Sequence, residues 1–356
     1  MKPLVEIIVL HHDGLENIKK CLDSLKKIKY PNLIVRVVDQ LSRDGTIELI
    51  ETKYKWAKLV VNKKNYSFAE ANNRILKKSK AKYCILLNDD TIVDSTFVME
   101  LVNVAEKNKD AATLQPKVLS LKNKKIFEYA GAAGGHIDIF SFPVCRGRIY
   151  DSIEKDVAQY EKISEIFWSC GVALFLRMDV IREIGMLDED IGTYGEEVDL
   201  CWRINLAGYK QLYVPKSIIY HLGSATWAKT KFKAKKQFLI HKNQWIMLAK
   251  NYSAKSLSFI LPSVIFLDII AFFAFLIGKP HKSMGILNSF IWAIANIMFL
   301  IKKSKENLKI REKSDREIMK KMIKTSTALQ YYLLGKKEFK DYLNYIEYEA
   351  FKHDNI

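Results

Sequence analysis

The sequence has no CxxC pair, no Gly-x-Gly-x-x-Gly after its first apolar run, no internal repeat and no low-complexity tract. Each absence removes a class of function. Without closely spaced cysteines there is no signature for a zinc knuckle or a thioredoxin-like redox motif. The five cysteines, Cys21, Cys84, Cys145, Cys170 and Cys201, are odd in number, widely spaced and mostly set in apolar runs, which points to free thiols in a reducing compartment. The missing glycine fingerprint disfavours a dinucleotide-dependent oxidoreductase. The opening MKPLVEIIVLHHDG has only a short apolar run, interrupted by Glu6, and no small-residue cleavage site, so it reads as a first strand and not as a signal peptide. Acid is scarce relative to base: 57 Lys and Arg face 40 Asp and Glu, a formal charge of +17. This balance implies an anionic partner. The basic residues concentrate beside the apolar C-terminal segments and no nucleic-acid motif is present, so a membrane surface is expected and a nucleic acid is not.

What is present is enough apolar material, 49% of 356 residues, for one large α/β domain with appendages. Short β-rich runs alternate with helical periodicity. LVEIIVL is followed by Leu15, Ile18, Leu22, Leu25 and Ile28 at helical spacing. LIVRVVD, KLVVN and YCILLN are further strands, and SFAEANNRILKKS is a helix with Ser67 as N-cap. Strands alternating with helices predict a largely parallel sheet with helices on both faces and a ligand site beyond the strands' carboxyl ends. Residues 120–165 are Gly-rich and irregular, as expected of a long loop or short hairpins. GEEVDLCWRINLAGYK is a helix stopping at Gly208.

Residues 257–277 and 284–301 are each close to the roughly 20 residues that span a bilayer, separated by GKPHKS and flanked by lysine-rich stretches at 229–242 and 302–324. Ten Lys and Arg against four Asp and Glu give the second flank a net charge of +6. Two spans, a re-entrant or interfacial hairpin, and two core helices all fit. Pro262 and Asp268 in the first segment weigh against full spanning.

Three clusters have the chemistry of a site. Asn88, Asp89 and Asp90 end an apolar strand; alone they are ordinary turn formers, but Asp39 ends the neighbouring strand, and hard oxygens at successive strand ends suit Mg²⁺ or Mn²⁺. Glu196, Glu197 and Asp199 open a helix, where carboxylates also complement the dipole. The preceding Asp188, Glu189 and Asp190 make an acidic patch in a basic chain, fit to hold a base near a charged donor. His221, in IIYHLG, is either a core histidine or a partner to Asp90 on a cation.

The order LVEIIVLHHDG, VVDQLSRDGT, NKKNYSFAEANNR, LLNDDTIVD, WSCGVALFLR, LDEDIGTYGEEVDLCWRINLAGY, YHLGSAT resembles glycosyltransferase family 2, and within it the rhamnosyltransferase-like enzymes, over residues 3–250. The resemblance implies a GT-A type fold: residues 1–250 as the catalytic domain, with a nucleotide-sugar half (1–115) and an acceptor and catalytic half (116–250). A membrane-associated hairpin (251–303) and a basic helical tail (304–356) would follow. It implies Asp39, Asn65, Phe68, Asn72, Arg74, Asn88 and Asp89 as donor contacts, Trp168 and Gly171 as acceptor contacts, and Asp90 and His221 as ligands of Mn²⁺ or Mg²⁺. The catalytic base is expected at Glu197, with Glu196 and Asp199 as alternatives because a Glu stands where the family usually has Asp. Gln40, Ser67 and His11-His12-Asp13 also depart from the family pattern.

The implied activity is metal-dependent, inverting transfer of a sugar from a nucleotide-sugar donor such as dTDP-rhamnose to a lipid-linked or cell-envelope glycan, at the cytoplasmic face of the membrane. Two alternatives remain. One is a polyprenyl-phosphate glycosyltransferase using a UDP-hexose. The other is a non-catalytic membrane-bound binder of nucleotide sugars or glycans.

Overall fold

A computed structural model of the protein describes residues 1–223 and 230–351. Residues 224–226 of the YHLGSAT motif and residues 352–356 of the tail lie outside them.

Strands β1 (Val5–His11), β2 (Leu33–Asp39), β3 (Lys58–Val61) and β4 (Tyr83–Asn88) alternate with helices α1 (Leu15–Leu25), α2 (Thr46–Lys53) and α3 (Phe68–Leu76). β1 pairs in parallel with β2 and β4, and β2 with β3. Successive side chains enter different cores: Tyr83, Ile85 and Leu87 join the α1 residues Ile18 and Leu22 on one face, while Cys84 and Leu86 join Ile75 and Leu76 of α3 on the other. A strand covered on both faces has no solvent side, which is why YCILL reads as an unbroken apolar run. Ser67 caps α3 by accepting from the Glu70 N–H at 3.2 Å.

After β4 come β5 (Thr91–Val93), α4 (Phe97–Lys107) and β6 (Ala111–Ser120). The Gly-rich stretch then forms a small antiparallel sheet of short strands, β7 (Gly135–Ile137), β8 (Pro143–Cys145), β9 (Arg148–Ile149) and β10 (Ser152–Ile153). The chain returns through β11 (Ser164–Ile166), β12 (Ala173–Arg177), α5 (Met178–Ile184), α6 (Glu196–Leu206) and β13 (Lys210–His221) to complete a nine-stranded sheet in the order β11-β13-β6-β12-β4-β1-β2-β3, with β5 on β13. The expected parallel arrangement holds for β1 to β4 and extends to β6 and β13, which pair in parallel; β5, β11 and β12 are the antiparallel members. β12 starts at the end where β4 finishes, with Val172 O accepting from Asn88 N–H at 3.0 Å, and so runs antiparallel to it.

The C-terminal helices α7 (Thr230–Asn251), α8 (Ala254–Leu276), α9 (Pro280–Ala295) and α10 (Ile297–Lys303) form a layer laid along the sheet domain. α7 and α9 touch at Gln237 and Gly285, where an added Cβ on the glycine would lie 2.6 Å from Gln237 Cβ. The Trp245 and Phe290 rings meet further along, with centroids 5.9 Å apart. His241 of α7 faces Asp268 of α8 at 3.3 Å, both buried, so the acid that weighed against spanning has an imidazole beside it. α8 is long and apolar enough to cross a membrane, and only 22% of its apolar window is buried. The second apolar segment is not one rod: α9 and the helical stretch 297–309 are bent by 77°.

Both ends of α7 are held against the rest of the chain. At one end Ser253 N–H donates to Asp315 at 2.8 Å and Lys250 pairs with Asp188 and Asp199. At the other, Lys236 lies over Tyr194. The tail beyond residue 304 is a chain of short helical turns, including α11 (Asp315–Lys320) and α12 (Thr327–Leu334), that folds back on the small sheet. Ile323 exchanges backbone bonds with Ile137 and Ile139, Asp138 caps Thr327, and Phe339 and Tyr342 are buried. Much of its expected positive flank is neutralised within the chain, since Lys303, Arg311, Lys321 and Lys324 all pair with carboxylates.

Candidate active site

The site is assembled on the carboxyl ends of β1, β2 and β4. Asp39, the last residue of β2, is fully buried; its Oδ1 accepts from Ser42 N–H at 2.9 Å. Gln40 ties down the loop before α3, donating to Tyr66 O at 2.8 Å and accepting from Tyr66 N–H at 2.9 Å. Asn65 and Arg74 are exposed, and the Arg74 guanidinium lies 4.4 Å from the Tyr66 ring centroid. Buried oxygens here have no hydrogen-bond partner among the described residues: Asp39 Oδ2, Asn72 Oδ1, Glu196 Oε2 and Glu197 Oε2. Unpaired buried acceptors cost free energy unless a ligand supplies the donors.

Asp89 is held by His11 of β1, Nδ1 to Oδ2 2.5 Å. The other imidazole nitrogen is 3.1 Å from Thr46 Oγ1, which donates to Asp44. Asp44 in turn accepts from Gly14 and Leu15 N–H, and these bonds outweigh burial to bring its pKa down to about 2. Burial pushes the Asp89 carboxyl up, against the pull of His11. His11, noted in the sequence only as a departure from the family pattern, therefore orients Asp89.

Asp90 takes a different partner. Its Oδ1 is 2.9 Å from Nε2 of His221, the last residue of β13, brought alongside because His221 pairs with Thr91 of β5. On the far side of the ring Nδ1 is 3.0 Å from Glu128 Oε2, a buried carboxylate that also accepts from Ala130 N–H. Burial lowers the affinity of His221 for a proton, and the two carboxylates more than reverse this, raising its pKa to about 9. The donor set fits a divalent cation. A carboxylate oxygen and an imidazole nitrogen stand side by side, and Glu128 is placed to hold a proton on Nδ1 and leave the Nε2 lone pair for metal. Among the described residues no cluster of three or more His, Cys, Asp and Glu side chains could cage a metal. A cation here would complete its shell with phosphate and water oxygens. Glu128 had no clear sequence signal beyond an acid set just before GAAGG.

The third component is the turn before α6. Gly195 and Tyr194 have φ of 91° and 73°; glycine adopts this region freely, whereas tyrosine is strained there. Asn243 of α7 holds the strained turn by donating to Thr193 O at 2.8 Å and Tyr194 O at 2.7 Å. Glu197, in the first turn of α6, abuts Gly171: a Cβ on that glycine would lie 4.0 Å from Glu197 Cδ and 3.7 Å from the Phe68 ring. Gly171 precedes Val172, which is bonded to Asn88, so the start of α6, α3 and the β4 terminus share one edge. Burial raises the pKa of both Glu196 and Glu197. The charge on Glu197 raises Glu196 further, whereas backbone N–H groups of the helix start and of Gly171 favour the ionised form of Glu197.

Two expected roles are corrected. Asp199 is fully buried and bonded to Arg203, Lys250 and Asn251 at 2.9–3.0 Å, leaving it no access to an acceptor. Trp168 is a packing residue: its indole N–H donates to His136 O at 2.9 Å and its ring fills the space that a Cβ on Gly135 would need. The acidic run Asp188 to Asp190 is likewise engaged elsewhere. Asp188 binds Lys250 and Lys303, Glu189 binds Asn73 and Lys77, and Asp190 binds Lys303.

Comparison with known proteins agrees with this architecture. Residues 6–179 match the model of glycosyl transferase family 2. The poly-β-1,6-N-acetyl-D-glucosamine synthase of Staphylococcus epidermidis is 21% identical over 223 residues, 61% of this chain and 50% of that protein, so the chain spans about half the length of that relative. Among solved structures, the mannosyltransferase PcManGT of Pyrobaculum calidifontis, in complex with GDP-Man and Mn²⁺, superposes with a TM-score of 0.50 at 16% identity, covering 83% of this chain and 76% of that one. GalNAc-T7 with UDP, GalNAc and Mn²⁺ superposes with a TM-score of 0.57 at 16% identity, covering 85% and 58%. At these identities the structural likeness establishes the GT-A fold alone.

Proposed function

We propose, for a chain that carries a glycosyltransferase family 2 domain over residues 6–179, that it is a metal-dependent inverting glycosyltransferase moving a sugar from a nucleotide-sugar donor to a lipid-linked or cell-envelope glycan. The observation that carries this reading is the gathering of unpartnered buried oxygens, Asp39 Oδ2 and Glu197 Oε2, on the same sheet edge as the Asp90 and His221 pair. Asp39 and Asn72 offer acceptors to the donor's base and hydroxyl groups, and Asp89, oriented by His11, lines the same edge. A cation held by Asp90 and His221 would neutralise the diphosphate leaving group as a Lewis acid. Glu197 takes the proton of the acceptor hydroxyl as that oxygen attacks the anomeric carbon from the face opposite the leaving group. Burial raises the Glu197 carboxyl above the ordinary carboxylate range, which strengthens it as a base, and burial with the neighbouring Glu197 charge raises Glu196 as well.

The helical layer supports a membrane-bound setting. α8 turns Phe259, Phe266, Phe273 and Leu276 outward. With Asp268 facing His241 inside the layer and these side chains outside it, α8 would lie in the cytoplasmic face of the bilayer instead of crossing it. A panel of nucleotide sugars, dTDP-rhamnose first and UDP-hexoses second, tested for Mn²⁺-dependent hydrolysis and transfer by the wild type and Asp90→Ala, tests the proposal. One donor should be consumed by the wild type only; no consumption with any divalent metal sinks it.

A further inference from the structure

Three cations from separate elements, Arg148 of the small sheet, Lys236 near the start of α7 and Lys282 near the start of α9, lie within electrostatic reach, the charges of Arg148 and Lys282 both acting on Lys236. Arg148 of β9 is 7% exposed, stacks 4.1 Å from the Tyr129 ring centroid, and has an Nε without a partner among the described residues. Its Nη1 donates to Tyr150 O at 3.3 Å, and Nη2 is 3.9 Å from Cys145 Sγ. Lys236 lies 5.3 Å from the Tyr194 ring and Lys282 lies 4.8 Å from the Phe275 ring. The close approach of Gly285 to Gln237 locks the two lysine-bearing helices together. Among the described residues neither lysine makes an ion pair, and the acid whose charge reaches Lys282 is the exposed Asp151. Burial and then the charges of Arg148 and Lys282 hold the Lys236 ammonium below its ordinary range. Lys282 is likewise lowered by burial and by Lys279. Like charges gathered in partial burial repel, the one exposed acid near Lys282 does not balance three cations, and an anion relieves that repulsion.

The position is informative. Tyr194, beneath Lys236, belongs to the strained turn that leads into Glu196 and Glu197. Phe275, beneath Lys282, belongs to the end of α8, where Leu276 and Ile277 are exposed. The cations thus stand between the base turn and an outward apolar surface.

We infer that Arg148, Lys236 and Lys282 form a binding site for the phosphate or diphosphate of a lipid-linked acceptor, with its hydrocarbon on the exposed end of α8 and its sugar directed towards Glu197. The inference rests on the proposed transferase reading and adds to it the headgroup chemistry and the residues that recognise it. Nucleotide, bilayer headgroup and acceptor all carry phosphate, and the test separates them.

Farnesyl diphosphate is titrated into the full chain in EDTA, which silences metal-dependent nucleotide binding, with farnesol as the hydrocarbon control. The wild type should bind the diphosphate well above farnesol, and Lys236→Met and Lys282→Met should each weaken it about tenfold, the loss of one charge-assisted bond, while melting as the wild type does. Unchanged affinity in both variants, or no preference over farnesol, overturns the site. Competition by a nucleoside diphosphate in EDTA would assign the cations to the donor and also overturn it. So would loss of binding by the variants to phosphatidylglycerol-containing vesicles with farnesyl diphosphate ignored, which marks a bilayer headgroup contact. A wild type that consumes a nucleotide sugar but ignores farnesyl diphosphate removes this site alone; one that binds farnesyl diphosphate but consumes no nucleotide sugar removes the transferase reading.

Discussion

Asp90 Oδ1 lies 2.9 Å from His221 Nε2, joining the end of β4 to the end of β13, and the same imidazole is steadied from behind by Glu128 at 3.0 Å. A carboxylate behind a ligand histidine selects its tautomer and orientation. Glu128→Ala is therefore expected to weaken Mn²⁺ binding about 10–100-fold, read from the free-ion signal in electron paramagnetic resonance. Glu128→Gln, which keeps an acceptor, should recover part of the loss. Equal Mn²⁺ affinity in wild type and Glu128→Ala would show that the carboxylate has no such role.

Glu197 and Glu196 are adjacent, and Glu197 lies against the Gly171 edge. Glu197→Gln should lower transfer to acceptor about 10²–10⁴-fold while leaving donor affinity in place. Glu196→Gln, which keeps the shape of the side chain and removes its charge, should cost far less. A reversal of the two effects in kcat would move the base to Glu196.

Asp199 and Asp188 bind Lys250 and Lys303 between the catalytic half and the helical layer. Burial alone would raise both carboxyls, and the lysines, with Arg203 at Asp199, outweigh it and hold them below the ordinary range. A depressed folded pKa contributes stability above the unfolded carboxylate value of about 4 that is lost as pH falls through the folded values. The melting temperature should hold from neutral pH to about 5 and fall below 4. Lys250→Met, which removes one of the two cations facing each of these buried acids, should cost up to about 3 kcal/mol at pH 7 and flatten that acid limb. A variant as stable as the wild type in urea at pH 7 would contradict this.

The outward face of α8 carries Phe266 and Phe273 at 60% and 65% exposure, far from the 22% buried share of the window pointing at the protein. Phe266→Glu with Phe273→Glu should release the chain from phospholipid vesicles in a flotation assay without lowering the melting temperature, because neither side chain packs inside. Retained flotation would place membrane contact elsewhere.

Much of the first 115 residues was readable from local pattern. Period-3.6 spacing, the capped α3 and the two-faced apolar run of β4 each follow from short-range chemistry. Strand-end placement then made Asp39 and Asn88 to Asp90 candidates before any coordinates. The mixed half of the sheet was not readable, because the direction of β12 depends on where the chain re-enters after a small sheet with little pattern of its own.

By itself the sequence determined the alternating strands and helices, the buried strand ending in acids, and the long apolar segments. All of these arise from residues close in the chain. Only the tertiary structure decided which acids are free to act. Asp199 and Asp188 are neutralised by lysines from α7 and α10, Asp89 is claimed by His11, and Asp90 is left to His221 with Glu128 behind it. Ion pairing between distant segments has no sequence period, so a carboxylate's partner emerges only when the fold brings the opposite charge into a buried, low-dielectric place.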